Sequence, residues 1–97
     1  MHILRLEHPI RDFETWKAAF DRDPVGRQQS DVRYYRISRS IDNPNYIMVD
    51  LEFDSSSEAE AVLAALWRNV WGSQQAASAL LGSPQARIVE AVEITEC

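Results

Sequence analysis

The stretch from Tyr46 to Val70 restricts the fold of this chain more than any other, because its hydrophobic period switches from strand to helix across one short serine-rich link. Ile47, Val49, Leu51 and Phe53 form one side of a strand, and Tyr46, Met48, Asp50 and Glu52 form the other. Asp54-Ser-Ser-Ser57 then offers N-caps, with capping-box spacing at both Ser55 to Glu58 and Ser57 to Glu60. Ala59, Val62, Leu63, Leu66, Trp67 and Val70 follow at helical spacing. A strand with one apolar face feeding an amphipathic helix requires a sheet covered by helices on one side.

The remaining segments fit that requirement. His2 to His8 alternates, with Leu4 and Leu6 on one side and Ile3, Arg5 and Glu7 on the other, and Pro9 closes the strand because it cannot donate to a ladder. From Ile10 to about Arg22 the period becomes helical, with Phe13, Trp16 and Phe20 as the apolar stripe and Asp12 and Glu14 in the opening turns. Asp23 to Asp31 has the composition of a loop, and Val32 to Ser40 reads as a second strand. Asp42-Asn-Pro-Asn45 marks a hairpin turn. Gly72 interrupts the second helix, Ser73 to Leu81 reads as a short further helical piece, and Gly82-Ser-Pro84 is a second break. Arg87 to Thr95 reads as a last strand whose imperfect alternation leaves its faces unassigned.

The order β-α-β-β-α-β defines an α+β, ferredoxin-like domain over residues 1–97. Right-handed crossovers make it a four-stranded antiparallel sheet with both helices on one face and the first and third strands central. The core is then Leu4, Leu6, Ile47, Val49, Leu51 and Phe53 beneath Phe13, Trp16, Phe20, Val62, Leu63, Leu66 and Trp67.

Several function classes fall away on composition. The net charge is −5, so there is no general attraction to nucleic acid or to an anionic membrane. An RNA-binding domain of this topology needs a basic third strand, where this chain carries Asp50 and Glu52. One cysteine, Cys97, leaves no disulfide framework and no multi-cysteine metal site, and no metal-ligand spacing of His and Glu occurs. No apolar run is long enough for a membrane span, and MHILRLEHP lacks the layout of a signal peptide, so a cytoplasmic location is expected.

The sheet side without helices presents Arg5 and Glu7 beside Asp50 and Glu52, together with Ile3, Tyr46 and Met48. Two readings compete: a solvated face, or a face covered by the same face of a second copy with its charges paired. A chain of 97 residues hides only about two-thirds of its unfolded surface, which favours the second.

Candidate chemistry is sparse. His8, at the end of the first strand, is a candidate acid or base that Asp12 could orient; the alternative is a histidine bonded to its own backbone. Trp16, Phe20, Tyr34, Trp67 and Trp71 are candidate walls of a site for a small apolar or aromatic ligand; the alternative is that such a stripe is simply core. His2 reads as an exposed terminal residue. Arg22, Arg27, Arg33, Arg36 and Arg39 form a basic stretch suited to a carboxylate or, alternatively, to a solvated edge strand.

The segments HILRLEH, IRDFETWKAAFD, YIMVDLEF running into DSSSEAEAVLAAL, and SPQARIVEAVEI together resemble the dimeric α+β barrel superfamily, over nearly the whole chain. That group includes antibiotic-biosynthesis monooxygenases, haem-degrading monooxygenases, muconolactone isomerases and stress-responsive A/B barrel proteins. The resemblance implies a homodimer whose two sheets form a barrel, with a pocket in each subunit between sheet and helices. It argues against haem degradation, since the first strand has no asparagine and no histidine follows His8. No cofactor is therefore expected. Two function classes follow: a cofactor-independent enzyme of the monooxygenase, isomerase or cyclase type, or a non-catalytic ligand-binding or dimerisation module.

Overall fold

The computed structural model describes residues 1–22, 26, 30–69, 71 and 84–97. Its elements are β1 (His2–Pro9), α1 (Phe13–Asp21), β2 (Tyr34–Arg39), β3 (Tyr46–Phe53), α2 (Ser56–Asn69) and β4 (Gln85–Glu90). The sheet is antiparallel throughout, in the order β2-β3-β1-β4, so the expected ferredoxin-like plan holds with β1 and β3 at its centre. Predicted features at Gly72, Ser73 to Leu81, and Gly82-Ser83 lie outside the described residues. No described helix is long and apolar enough to cross a membrane.

The core forms where the two periodicities meet. Leu4 and Leu6 from β1 and Ile47, Val49, Leu51 and Phe53 from β3 are buried with Ala59, Val62 and Leu66 of α2, Trp16 of α1, and Ile10. Trp67 departs from the expected stripe and is 49% exposed. The buried positions Ala59, Val62 and Leu66 already define the inward face at spacings of three and four, and Trp67 stands one helical step beyond Leu66.

Helix boundaries follow their caps. Asp12 is the N-cap of α1, so the helix starts at Phe13 rather than at Ile10, whose N–H instead donates to the Asn45 carbonyl at 2.7 Å and prolongs the β1 edge. At α2 the predicted box is formed: Ser55 N–H donates to Glu58 Oε1 at 3.1 Å, and Glu58 N–H donates to Ser55 Oγ at 3.3 Å. The helix closes with Trp71 N–H donating to the Leu66 carbonyl at 2.8 Å, a six-residue loop typical of helix ends.

Two strand limits differ from the sequence expectation. Pro9 remains in β1, aligned with Tyr46, because it occupies a position whose N–H would point away from β3. On that other side the described β4 ladder runs to Glu7 opposite Gln85. β4 begins at Gln85 and stops at Glu90, short of Thr95. Ala91 N–H donates to the Met1 carbonyl at 2.9 Å, and beyond it the described chain has no neighbouring backbone to pair with. Val92 and Ile94 are consequently 89% and 85% exposed. The pairing also assigns the faces of β4: Ala86 and Ile88 pack toward the core, and Arg87 and Val89 lie on the helix-free side.

Candidate functional site

The even-numbered positions of β1 face the helices, which places His8 inside the molecule beside Ile47 and beneath α1. It is only 3% exposed, and its ring lies 6.3 Å from that of Trp16 in an edge-on contact. His8 Nδ1 is 3.3 Å from the Pro9 carbonyl oxygen. A neutral ring with its proton on Nδ1 donates there and leaves Nε2 as the basic nitrogen. Burial lowers the His8 pKa below its ordinary value, since the cation loses water, and the Pro9 carbonyl only partly opposes this.

Trp16 is the centre of an aromatic series along α1. Its ring is 5.9 Å from Phe13 and stacks on Phe20 at 5.2 Å, and Phe20 meets Tyr35 of β2 edge-on at 5.2 Å. At the other end the Arg39 guanidinium lies 4.8 Å over the Phe13 ring. His8, Phe13, Trp16, Phe20, Tyr35 and Arg39 therefore form one continuous group drawn from β1, α1 and β2.

The other predicted residues stand apart. Asp12 does not orient His8: its carboxylate accepts from Thr15 N–H at 2.7 Å and from Thr15 Oγ1 at 2.8 Å, and these bonds lower its pKa. Tyr34 is 68% exposed on the helix-free face, opposite Glu52, and its neighbour Tyr35 takes the inward position. Trp67 and Trp71 pair with each other at 4.7 Å, and no described ring joins them to Trp16. His2 shares the helix-side face with Leu4 and is half-buried rather than free: its Nε2 is 3.4 Å from Glu90, and its buried Nδ1 has no partner among the described residues. Phe13 is the member of the site that the sequence assigned only to the core, and Tyr35 and Arg39 lie two positions to either side of Ile37 on the strand face that it defines.

The basic stretch divides in the same way. Arg33 is bound to Asp54 at 2.7 Å, Arg36 points to the helix-free side opposite Asp50, and Arg39 joins the aromatic group. Among the described residues no three His, Cys, Asp or Glu side chains converge as a metal site. A separate cleft of about 340 Å³ lies between the turn before β2 and the start of α2, lined by Ser30, Asp31, Ser57, Glu58, Ala61 and Val62. It contains none of the predicted site residues.

The helix-free face carries its charges in register. One cross-strand row reads Arg36, Asp50, Arg5, Arg87 and the next reads Tyr34, Glu52, Ile3, Val89. Arg5 donates to both Asp50 oxygens at 3.0 and 3.3 Å, and the Tyr46 hydroxyl donates to Glu7 at 2.7 Å, which raises the phenol's pKa.

The sequence matches no protein-family profile and no curated protein. Solved structures do match. A variant of SnoaB, a cofactor-independent oxygenase from Streptomyces nogalater, superposes with a TM-score of 0.73 at 8% identity, covering 96% of this chain and 94% of that one. A dimeric ferredoxin-like protein from an uncultured marine organism gives 0.65 at 11% identity, covering 97% of each chain. An antibiotic biosynthesis monooxygenase gives 0.62 at 13% identity, covering 96% of this chain and all of that one. The chain is thus similar to these structures over 96–97% of its length, and its antiparallel β2-β3-β1-β4 sheet with the helices α1 and α2 gives it a ferredoxin-like fold.

Proposed function

We propose that the chain pairs with a second copy through the helix-free faces of its sheets and acts, without a cofactor, as an enzyme on a small apolar or aromatic substrate. The observation that carries the catalytic part is His8: a buried histidine held neutral by burial, in ring contact with Trp16. The likeness of fold to SnoaB, described as a cofactor-independent oxygenase, supports the same direction. The paired and apolar helix-free face and the dimeric ferredoxin-like relative support the homodimer. A cytoplasmic location goes with this reading.

In this mechanism His8 Nε2 removes a proton from a carbon acid or phenol lying against the aromatic series. Nδ1–H keeps its bond to Pro9, which fixes the ring and supports the imidazolium. An isomerase returns the proton to a second carbon, and an oxygenase exposes the electron-rich anion to dioxygen. Trp16 and Phe20 hold the flat substrate and exclude water.

His8→Gln keeps the size of the side chain and removes the base. Turnover of an identified substrate is expected to fall at least ~100-fold, with the mass and circular dichroism of the protein unchanged. Undiminished turnover would remove His8 from the mechanism. A second reading, an association module filled by its own aromatics, draws on the close stack of Trp16 on Phe20, with Trp16 only 7% exposed. Failure of any small aromatic ligand to bind the native protein selects that reading.

The same histidine ties stability to pH. Its folded pKa lies below the ordinary 6.5, so the unfolded chain binds the proton more readily. This contribution is present above about pH 6.5 and is lost as the pH falls below it. Thermal unfolding followed from pH 8 to 5 is expected to show a falling midpoint below about 6.5, with a shallower fall in His8→Gln. An equal fall in both proteins contradicts the assignment.

A further inference from the structure

Arg39 ends β2 on the helix side of the sheet, aligned with Ile47, which is itself aligned with His8. Arg39 and His8 thus stand in one cross-strand row, two strand spacings or ~10 Å apart at the backbone, with the α1 rings above them. The guanidinium lies over the Phe13 ring, and no carboxylate among the described residues pairs with it. That separates it from Arg5 and Arg33, which hold Asp50 and Asp54. Asp12, the acid that precedes Phe13, has both oxygens on Thr15. Arg39 therefore offers an exposed planar fork of donors beside an aromatic wall, the arrangement that receives a carboxylate through two parallel bonds.

We propose that Arg39 is the anion-recognising end of the site and that its ligand is a flat aromatic carboxylate of one or two rings. The carboxylate sits on the Arg39 fork, the rings lie along Phe13 and Trp16, and the far edge reaches toward His8. This rests on the reading of the His8 and Trp16 group as a ligand site and adds to it the charge of the ligand. Arg39 sets the specificity of binding, and the proton transfer remains with His8.

The test titrates 2-naphthoate and its neutral counterpart 2-naphthalenemethanol into the native protein, Arg39→Gln and Arg68→Gln, following tryptophan fluorescence and heat of binding. Arg68 is an exposed arginine in the last turn of α2 and controls for total charge. The native protein and Arg68→Gln are expected to bind the carboxylate about tenfold or more tightly than the alcohol. Arg39→Gln is expected to bind the two alike, with alcohol affinity kept. Equal binding of the two probes by the native protein overturns the anion assignment alone. A preference that survives Arg39→Gln overturns the role of Arg39. If neither probe binds the native protein, the site itself fails and this inference fails with it.

Discussion

Replacing Phe53 with alanine is expected to remove most of the stability of this domain. The ring is fully buried at the end of β3, in the cluster that joins the sheet to α2. Truncating such a ring costs about 3–5 kcal/mol, because the lost burial is compounded by a cavity the surroundings cannot fill. Domains of this size hold only about 5–15 kcal/mol in total. Urea unfolding at fixed protein concentration should therefore show a large drop in midpoint, or no folded baseline at all. Trp67→Ala supplies the contrast. Its ring is half-exposed beyond the buried stripe, so its loss should cost less than half as much. Equal losses for the two variants would mean that the assignment of inward and outward faces on α2 is mistaken.

Asp50→Arg is expected to abolish association while leaving the fold intact. The wild-type row Arg36, Asp50, Arg5, Arg87 contains one acid among three arginines, and Arg5 is bound to it through two hydrogen bonds. The substitution leaves four arginines in line, and a two-fold partner brings four more against them. Breaking a charge pair inside an interface costs about 2–5 kcal/mol, or ~30-fold to several thousandfold in the dissociation constant. In an isolated subunit the Arg5 side chain is 54% exposed and Asp50 18% exposed at the surface of the sheet, where the penalty is smaller than inside an interface. Sedimentation equilibrium should show the variant as a monomer at concentrations where the native protein is paired, with matching circular dichroism. Association of undiminished strength would show that this row lies outside any contact between copies.

Much of this architecture was legible because some segments allow only one placement. The alternation from Tyr46 to Phe53 admits a single buried face, and Ser55 with Glu58 leaves little freedom in where α2 begins. The site was harder to read, for identifiable physical reasons. Tyr34 and Tyr35 are adjacent and chemically alike, so a period of two cannot say which turns inward until the pairing with β3 fixes the register. The interval from His8 to Asp12 resembles one helical turn, but a strand ends and a helix starts within it, and Asp12 is consumed by its own cap. Arg39 looked like one charge among five along the chain, and only the register across β3 places it in a row with His8. The tail beyond Ala91 has strand-forming residues, yet strand propensity cannot act without a backbone alongside.

The claim beneath all of this is that Arg5, Glu7, Asp50 and Glu52 look onto another copy of the same chain. Native mass spectrometry of the purified protein at micromolar concentration tests it most directly. A particle of twice 11.1 kDa is the predicted result, and one that remains at 11.1 kDa on further concentration contradicts it.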